Sequence, residues 1–226
     1  HAGRIVLVGE EPCSPYERPP LSKEVLRGLA DPVEAAVLPP GCAVELRLGC
    51  RATAIDRAAR RVMVGDGASL GYDTLVLATG VRPRRLPVDG ADCAGVHVLH
   101  TAAEAHALRT ALLAQQGALV IVGGGFIGLE VAASARMMGW QVTVVEAGSE
   151  CLARVLPAVS ARWLIGQHRE RGVRFCCAAT VEGIERGANR ALAMRLSTGE
   201  TLAADLVVTG IGSQPCDALA RAAGLD

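Results

Sequence analysis

Apolar runs of four or five residues recur along the chain, each bounded by glycine, proline or a charged side chain. Such uninterrupted runs predict strands buried on both faces, in contrast to the alternating pattern of a half-exposed strand. The most complete is Leu119-Val-Ile-Val122, which runs into Gly123-Gly-Gly-Phe-Ile-Gly128. Helix formers follow (Leu129, Glu130, Val131, Ala132, Ala133), with Gly139 as the C-terminal stop. A second run, Gln141–Val145, ends in Glu146. Strand, glycine turn, helix and strand in this order predict a βαβ unit.

The same pattern recurs with variations. Arg4–Val8 is a short strand that also meets an acid, at Gly9-Glu10. In a βαβ series such a strand is the second one, so the chain is expected to enter its first unit about thirty residues late. A proline-rich loop, Glu11 to Lys23, leads to a short helix near Lys23–Arg27 with Ser22 as its N-cap. Strands are expected at 44–48, 52–56, 61–64 and 74–77, with a turn at Asp66-Gly67, and Arg82–Pro87 reads as a linker. Helices follow at 101–113 and 158–171, and strands near 173–186, 190–197 and 205–209, with a turn at Thr198-Gly199. Two of these strands end in Thr-Gly, at 78–80 and 208–210, which suggests two related folds interleaved in one chain.

Glycines at 123, 125 and 128 have the spacing that a bound pyrophosphate requires. Gly123 permits the tight turn, Gly125 lets backbone approach the phosphates, and Gly128 lets helix and strand pack closely. The helix N-terminus adds free N–H groups and the positive end of its dipole. Glu146 lies 146 − 123 = 23 residues beyond the first glycine, where an acid meets ribose hydroxyls. An acid there repels a 2′-phosphate, and 147–149 contain no arginine, so NADH is favoured over NADPH.

Composition narrows the rest. Aromatic residues make up only 3%, so the core must be built from alanine, valine, leucine and isoleucine. A formal net charge of zero gives no reason to expect nucleic acid or an anionic membrane as partner. The uncharged stretch from Thr110 to Leu129 has membrane-like length, but its glutamines and glycines make it a helix end, a turn and a strand. No secretory leader is expected from the first residues. Eight cysteines occur without C-x-x-C spacing, which points to buried thiols in a reduced cytoplasm. The histidines show no metal-ligand spacing. Of 23 basic residues only Lys23 is a lysine, which suggests a site that wants a compact ammonium.

Four segments in consistent order, Pro15-Tyr-Glu-Arg-Pro-Pro-Leu-Ser-Lys23, Leu77-Ala-Thr-Gly80, Gly123-Gly-Gly-Phe-Ile-Gly-Leu-Glu130 and Gly210-Ile-Gly212, resemble the FAD-dependent ferredoxin and rubredoxin reductases. This family serves ring-hydroxylating dioxygenase and cytochrome P450 systems, within the pyridine nucleotide-disulfide oxidoreductase superfamily. The resemblance implies an α/β fold of two interleaved Rossmann-like dinucleotide-binding domains in three layers. The FAD domain, 1–100, would be incomplete, the NADH domain would span 101–212, and 213–226 would begin the return to the FAD domain. Prolines stand where disulfide reductases carry a cysteine pair, so flavin alone would be the redox centre.

The resemblance also implies roles. Glu10 would hold the FAD adenosine ribose, Arg18 and Lys23 would line the flavin and pyrophosphate side, and Thr79, Gly80 and Arg82 would lie along the FAD. Gly123, Gly125, Phe126, Ile127 and Gly128 would receive the NADH pyrophosphate, Glu146 its ribose, and Gly210 and Ile211 would sit near the nicotinamide. Lys23 and Glu130 would meet beside the flavin as the catalytic pair, the ammonium offsetting the charge that reduction adds. A ferredoxin or rubredoxin-like carrier would take the electrons; the cluster Arg82, Arg84 and Arg85 reads as solvated linker charge, with Arg82 the exception through the pyrophosphate. A related nitrite-reductase subunit or monodehydroascorbate-reductase-like enzyme is the alternative enzyme, and an NADH-binding module without flavin is the alternative of another class.

Overall fold

The computed structural model describes residues 3–31, 37–38, 42–65, 67–187 and 191–225. Its chain forms two compact units, one of His1–Glu17, Pro32–Arg82 and Gln214–Asp226, the other of Arg18–Asp31 and Pro83–Ser213. The chain passes between the units after Glu17, Asp31, Arg82 and Ser213. Arg18–Asp31 joins the second unit because Leu21, Val25 and Leu26 are buried there, against the helices Ala102–Ala114 and Phe126–Met137. Residues 83–100 join it because the strand Val96–Val98 pairs with Leu206–Thr209.

The second unit is built on a five-stranded parallel sheet. Its order is Arg174–Cys176, Gln141–Val145, Ala118–Val122, Leu206–Thr209 and Val96–Val98. Ala118–Val122 shows why its strands read as unbroken apolar runs. Ile121 faces the helix Phe126–Met137, since a Cβ placed on Gly128 would lie 3.3 Å from its Cγ2. Val120 and Val122 point the other way, into a cluster with Ile184, Leu192, Met194, Leu196 and Leu202. Those residues come from an antiparallel meander, Val181–Arg186, Leu192–Leu196 and Thr201–Ala204, that covers the second face. A sheet covered on both sides leaves no face for polar residues.

The helix Ala102–Ala114 starts with a capping box. The Glu104 N–H donates to Thr101 Oγ1 at 3.3 Å, and the Thr101 N–H donates to Glu104 Oε2 at 2.9 Å. Its buried face carries Ala105, Leu108 and Leu112. The fully buried Trp140 closes the far end by donating from Nε1 to the Leu112 carbonyl at 3.1 Å.

The first unit is thinner. Ile5–Val8 and Val44–Arg47 form a two-stranded parallel sheet, and Ala52–Asp56, Arg61–Val64 and Ser69–Gly71 form a three-stranded antiparallel one. The short helix Ala218–Ala222 packs on Ala52–Asp56, and Arg57 Nη1 donates to the Gly224 carbonyl at 2.9 Å. No helix among the described residues is long and apolar enough to cross a membrane.

Several local expectations need correction. Residues 74–77 form no strand: the described residues supply no neighbour to pair with, and Val76 is 80% exposed. Of the two Thr-Gly segments, only the one at 208–210 therefore ends a strand. The expected strand at 173–186 is two strands, because the chain leaves the sheet edge through Ala178 at φ +52° to enter the meander. Thr201–Ala204 was not anticipated, since its two alanines mask the alternation that pairing with Leu192–Leu196 reveals. Arg82–Pro87 is not wholly linker: Val81–Pro83 is a short strand. Pro19–Ser22 is a 3₁₀ turn, and the helix after it, Glu24–Arg27, has no side-chain cap. Asp66 of the expected turn lies outside the described residues, as do Pro39, Pro40 and Gly41, where the resemblance implies a shortened form of a stretch the family carries.

Candidate functional site

The glycine turn opens at the C-terminal edge of the parallel sheet. Val122 pairs with Val145 on one side and with Thr209 on the other, so Gly123, Glu146 and Gly210 emerge side by side. Gly123 sits at φ +113°, and a Cβ on it would collide with the Gly210 carbonyl. The Gly210 N–H donates back to the Val122 carbonyl at 2.7 Å. Two strand ends thus turn within backbone contact of each other, which leaves room for hydrogen but not for methyl.

Gly125 is the N-cap of Phe126–Met137 and caps it with no side chain, so the first N–H groups of that helix have no intrahelical partner. A Cβ on Gly125 would meet nothing within 4 Å, which leaves the backbone open to close approach. Gly128 has a different task from the other two. It is buried, and its missing Cβ makes way for the Gly123 carbonyl. It supports the turn from behind and does not line the cleft.

Glu146 already engages the turn. Its Oε2 accepts from the Gly124 N–H at 2.7 Å and its Oε1 from the Gly148 N–H at 2.8 Å. A cleft of about 550 Å³ opens in front, lined by Gly123, Gly125, Phe126, Ile127, Glu146, Gly210 and Ile211. Phe126 and Ile127 are half exposed at its mouth. Arg154 and Thr180 also line it and went unnoticed in the sequence. Arg154 is the one arginine of the lining, and it lies beyond the arginine-free 147–149 segment. It reaches the cleft because the turn at Leu152, φ +60°, folds the chain back.

The same helix carries a second constellation four residues into its length. Lys23 Nζ lies 2.9 Å from Glu130 Oε1. The other oxygen, Oε2, accepts from the hydroxyl of Ser22, a residue 3% exposed. One turn further along, Ser134 Oγ donates to the Ser22 carbonyl at 2.7 Å. Loop 19–23 is thus fastened to the glycine-turn helix at three points, and both Glu130 oxygens are held. Ser22 was expected to cap its own helix; burial of Leu21 beside it turns the hydroxyl toward Glu130 instead. Each member of the ion pair remains about one-third exposed, so the pair contributes about 1 kcal/mol or less to stability.

The remaining candidates are distributed between the units. In the second unit, Arg18 Nη1 donates to the His100 carbonyl. Glu10, Thr79, Gly80 and Arg82 belong to the first unit. Glu10 pairs with Arg51 at 3.3 Å, both side chains well exposed. Gly80, at φ +64°, accepts from the Cys216 N–H at 2.9 Å and has open space where a Cβ would stand.

The pyridine nucleotide-disulphide oxidoreductase model matches residues 1–226, and the chain belongs to that family. It is 43% identical over 228 residues to the rhodocoxin reductase of Rhodococcus erythropolis, covering 99% of this chain and 53% of that protein. It is 42% identical over 229 residues to the biphenyl dioxygenase system ferredoxin–NAD(+) reductase component of Paraburkholderia xenovorans (strain LB400), covering 100% and 55%. Among solved structures, the ferredoxin reductase for the CYP199A2 system from Rhodopseudomonas palustris superposes with a TM-score of 0.93 at 38% identity, over 100% of this chain and 56% of that one. The chain spans about half the length of the curated relatives it matches.

Proposed function

We propose that the chain is part of an NADH-dependent flavoprotein reductase that delivers electrons to a ferredoxin- or rubredoxin-type carrier in the cytoplasm. One observation carries this reading. A single helix, Phe126–Met137, presents free N–H groups to the cleft at its start and Glu130, paired with Lys23, one turn later. A nucleotide gripped at the first place would put its reactive end within the domain of influence of a fixed positive charge.

The residues suit both groups. Gly123, Gly125, Phe126 and Ile127 would hold the NADH pyrophosphate, with Gly128 behind them. Glu146 would take the ribose, with Gly210 and Ile211 toward the nicotinamide. The open backbone at Gly125 and the crowded backs of Gly123 and Gly128 are what such an approach needs. For FAD, the first unit offers Glu10 as an acid for the ribose, Arg82 as a cation, and Thr79 and Gly80 as a hydroxyl and open backbone; the second unit by itself offers the cations Arg18 and Lys23. When bound, the two groups supply hydride donation and acceptance, with single electrons passed onward. Lys23 would supply an ammonium where negative charge would accumulate. Glu130, itself held by the Ser22 hydroxyl, fixes that ammonium in one position, which limits its reorganisation. The relatives named as ferredoxin reductases support the choice of carrier.

The test is a visible absorption spectrum of the purified protein before and after anaerobic addition of NADH. A flavin band that bleaches sustains the proposal; a flavin band that NADH leaves unchanged refutes it. The two-stranded parallel sheet of the first unit favours a second reading, a nicotinamide-dinucleotide module without flavin. A colourless protein that binds NADH would select it.

A further inference from the structure

Two thiols outside the proposed chemistry lie behind the glycine turn. Cys151 and Cys177 are 26 residues apart in sequence, and their sulfurs are 4.0 Å apart. They stand on the two loops that frame Glu146. The Leu152 N–H donates to the Gly124 carbonyl at 3.0 Å, the Ala178 N–H to the Gly148 carbonyl at 2.8 Å, and the Ala179 N–H to the Glu146 carbonyl at 3.1 Å. Cys151 is buried, and a Cβ on Gly124 would run into its Sγ.

The backbone marks the same spot. Each cysteine is followed by a non-glycine residue in the left-handed region, Leu152 at φ +60° and Ala178 at φ +52°. Only one other, Arg60, occurs among the described residues. Such positions are held against a local cost and tend to gather where a site constrains the chain. A metal does not explain the gathering, since no group of three potential ligands exists among the described residues. Burial and the neighbouring Cys177 push the Cys151 thiol up to about 12, so it is protonated at neutral pH. Cys177 is only half-buried and is the more accessible residue of the two.

We propose that Cys151 and Cys177 form a reversible disulfide site behind the dinucleotide cleft, closed by a hydroperoxide, and that closing it loosens the hold of Glu146 on the glycine turn. The Cys177 thiolate attacks one oxygen of hydrogen peroxide and the O–O bond breaks. The released hydroxide takes up the proton Cys177 had given, forming water, and Cys177 becomes a sulfenic acid. The Cys151 sulfur then attacks Cys177. The S–S bond forms, the S–O bond breaks, and the hydroxyl leaves as water with the Cys151 proton. Two thiols and one peroxide yield one disulfide and two waters, two electrons passing from sulfur to oxygen, and an external dithiol returns them. To bond, the sulfurs must close from 4.0 Å to about 2 Å, which shifts the loop carrying Gly148 or the one carrying Ala178. The effect on NADH rests on the proposed nucleotide site; the disulfide itself does not.

The reduced chain is treated with increasing hydrogen peroxide under native conditions. Free thiols are counted, peptides are mapped without reduction, and NADH is titrated before, after and following dithiothreitol. The expected result is the early loss of two thiols of eight and a peptide pair joined through 151 and 177. The NADH dissociation constant should rise about tenfold, as for loss of one charge-assisted hydrogen bond, and return on reduction. Cys177→Ser should keep its NADH affinity in peroxide, with Cys176→Ser behaving as the parent chain. Cys176–Cys177 pairing, over-oxidation of Cys177 with Cys151 intact, or a disulfide that leaves NADH affinity unchanged would each overturn the proposal. If the reduced chain never binds NADH, the nucleotide site fails, and the peptide map still decides the disulfide.

Discussion

Two strands in this chain share one plan, an apolar run that ends at an acid, and they end up in different surroundings. Gln141–Val145 lies inside a five-stranded sheet, and its acid, Glu146, grips two backbone N–H groups of a glycine turn. Among the described residues Ile5–Val8 has a single neighbour strand, Ile5 is 60% exposed, and Glu10 pairs with a solvated arginine. A local pattern specifies the strand and the position of the acid. What the acid does depends on the turn beside it, and among the described residues only Glu146 has one.

That difference can be broken most strongly in the core. Ile121→Ala removes a side chain with no exposure and should lower unfolding stability by about 2–5 kcal/mol, whereas Ile5→Ala should stay within about 0.5 kcal/mol. Urea denaturation of both variants measures it, and equal losses would mean the two strands are buried alike. Next comes the pair of acids. Glu146→Ala should weaken NADH by roughly 1.5–3 kcal/mol, tenfold or more, in calorimetric titration. Glu10→Ala should leave NADH affinity where it was.

A smaller effect concerns the loop fastened to the helix. Ser22→Ala should cost about 1 kcal/mol of stability, the price of one buried hydrogen bond, and leave NADH affinity intact. If the proposed reductase chemistry holds, it should also slow flavin reduction in stopped-flow, because the Glu130 carboxylate then has one holder fewer. Lys23→Ala should slow reduction further while costing no more than about 1 kcal/mol of stability. Reduction at the parental rate in Lys23→Ala would remove the ammonium from the mechanism.

The smallest expected effect is one of pH, and it belongs to the second unit, which contains His97 and His168. Burial holds both below the usual 6.5, aided at His168 by Arg171. As acid is added, the unfolded chain therefore binds these protons before the folded one does. Stability is full above 6.5 and falls as pH drops below it, by less than about 1.4 kcal/mol per pH unit for each group. Denaturation midpoints across that range should flatten in the His97→Gln, His168→Gln double variant.

How much was legible follows from the range of the forces involved. The glycine turn, its helix and both flanking strands could be read because each is decided by neighbours within a few residues. The strand at Gln141–Val145 came out with its observed ends. Pairing is a long-range matter, and there the pattern misled: residues 74–77 look like a strand but have no described partner, and Thr201–Ala204 becomes one only beside Leu192–Leu196. The site divides the same way. Lys23 stood out by composition, and Glu130 came through the family resemblance. Ser22, Ser134 and Arg154 reach their places through packing, and no local signal distinguishes a serine that caps a helix from one that holds a distant carboxylate.

The ion pair at Lys23 has a consequence for how the chain can be labelled. It places the single side-chain amine of this polypeptide against Glu130, about one-third exposed. Acylating reagents selective for lysine (succinimidyl esters, an acetyl donor) therefore have one side-chain address, and reaction there cancels the charge that faces Glu130. Attachment through amines thus tags and disarms in the same stroke, whereas coupling through the exposed Cys42 would leave the pair untouched.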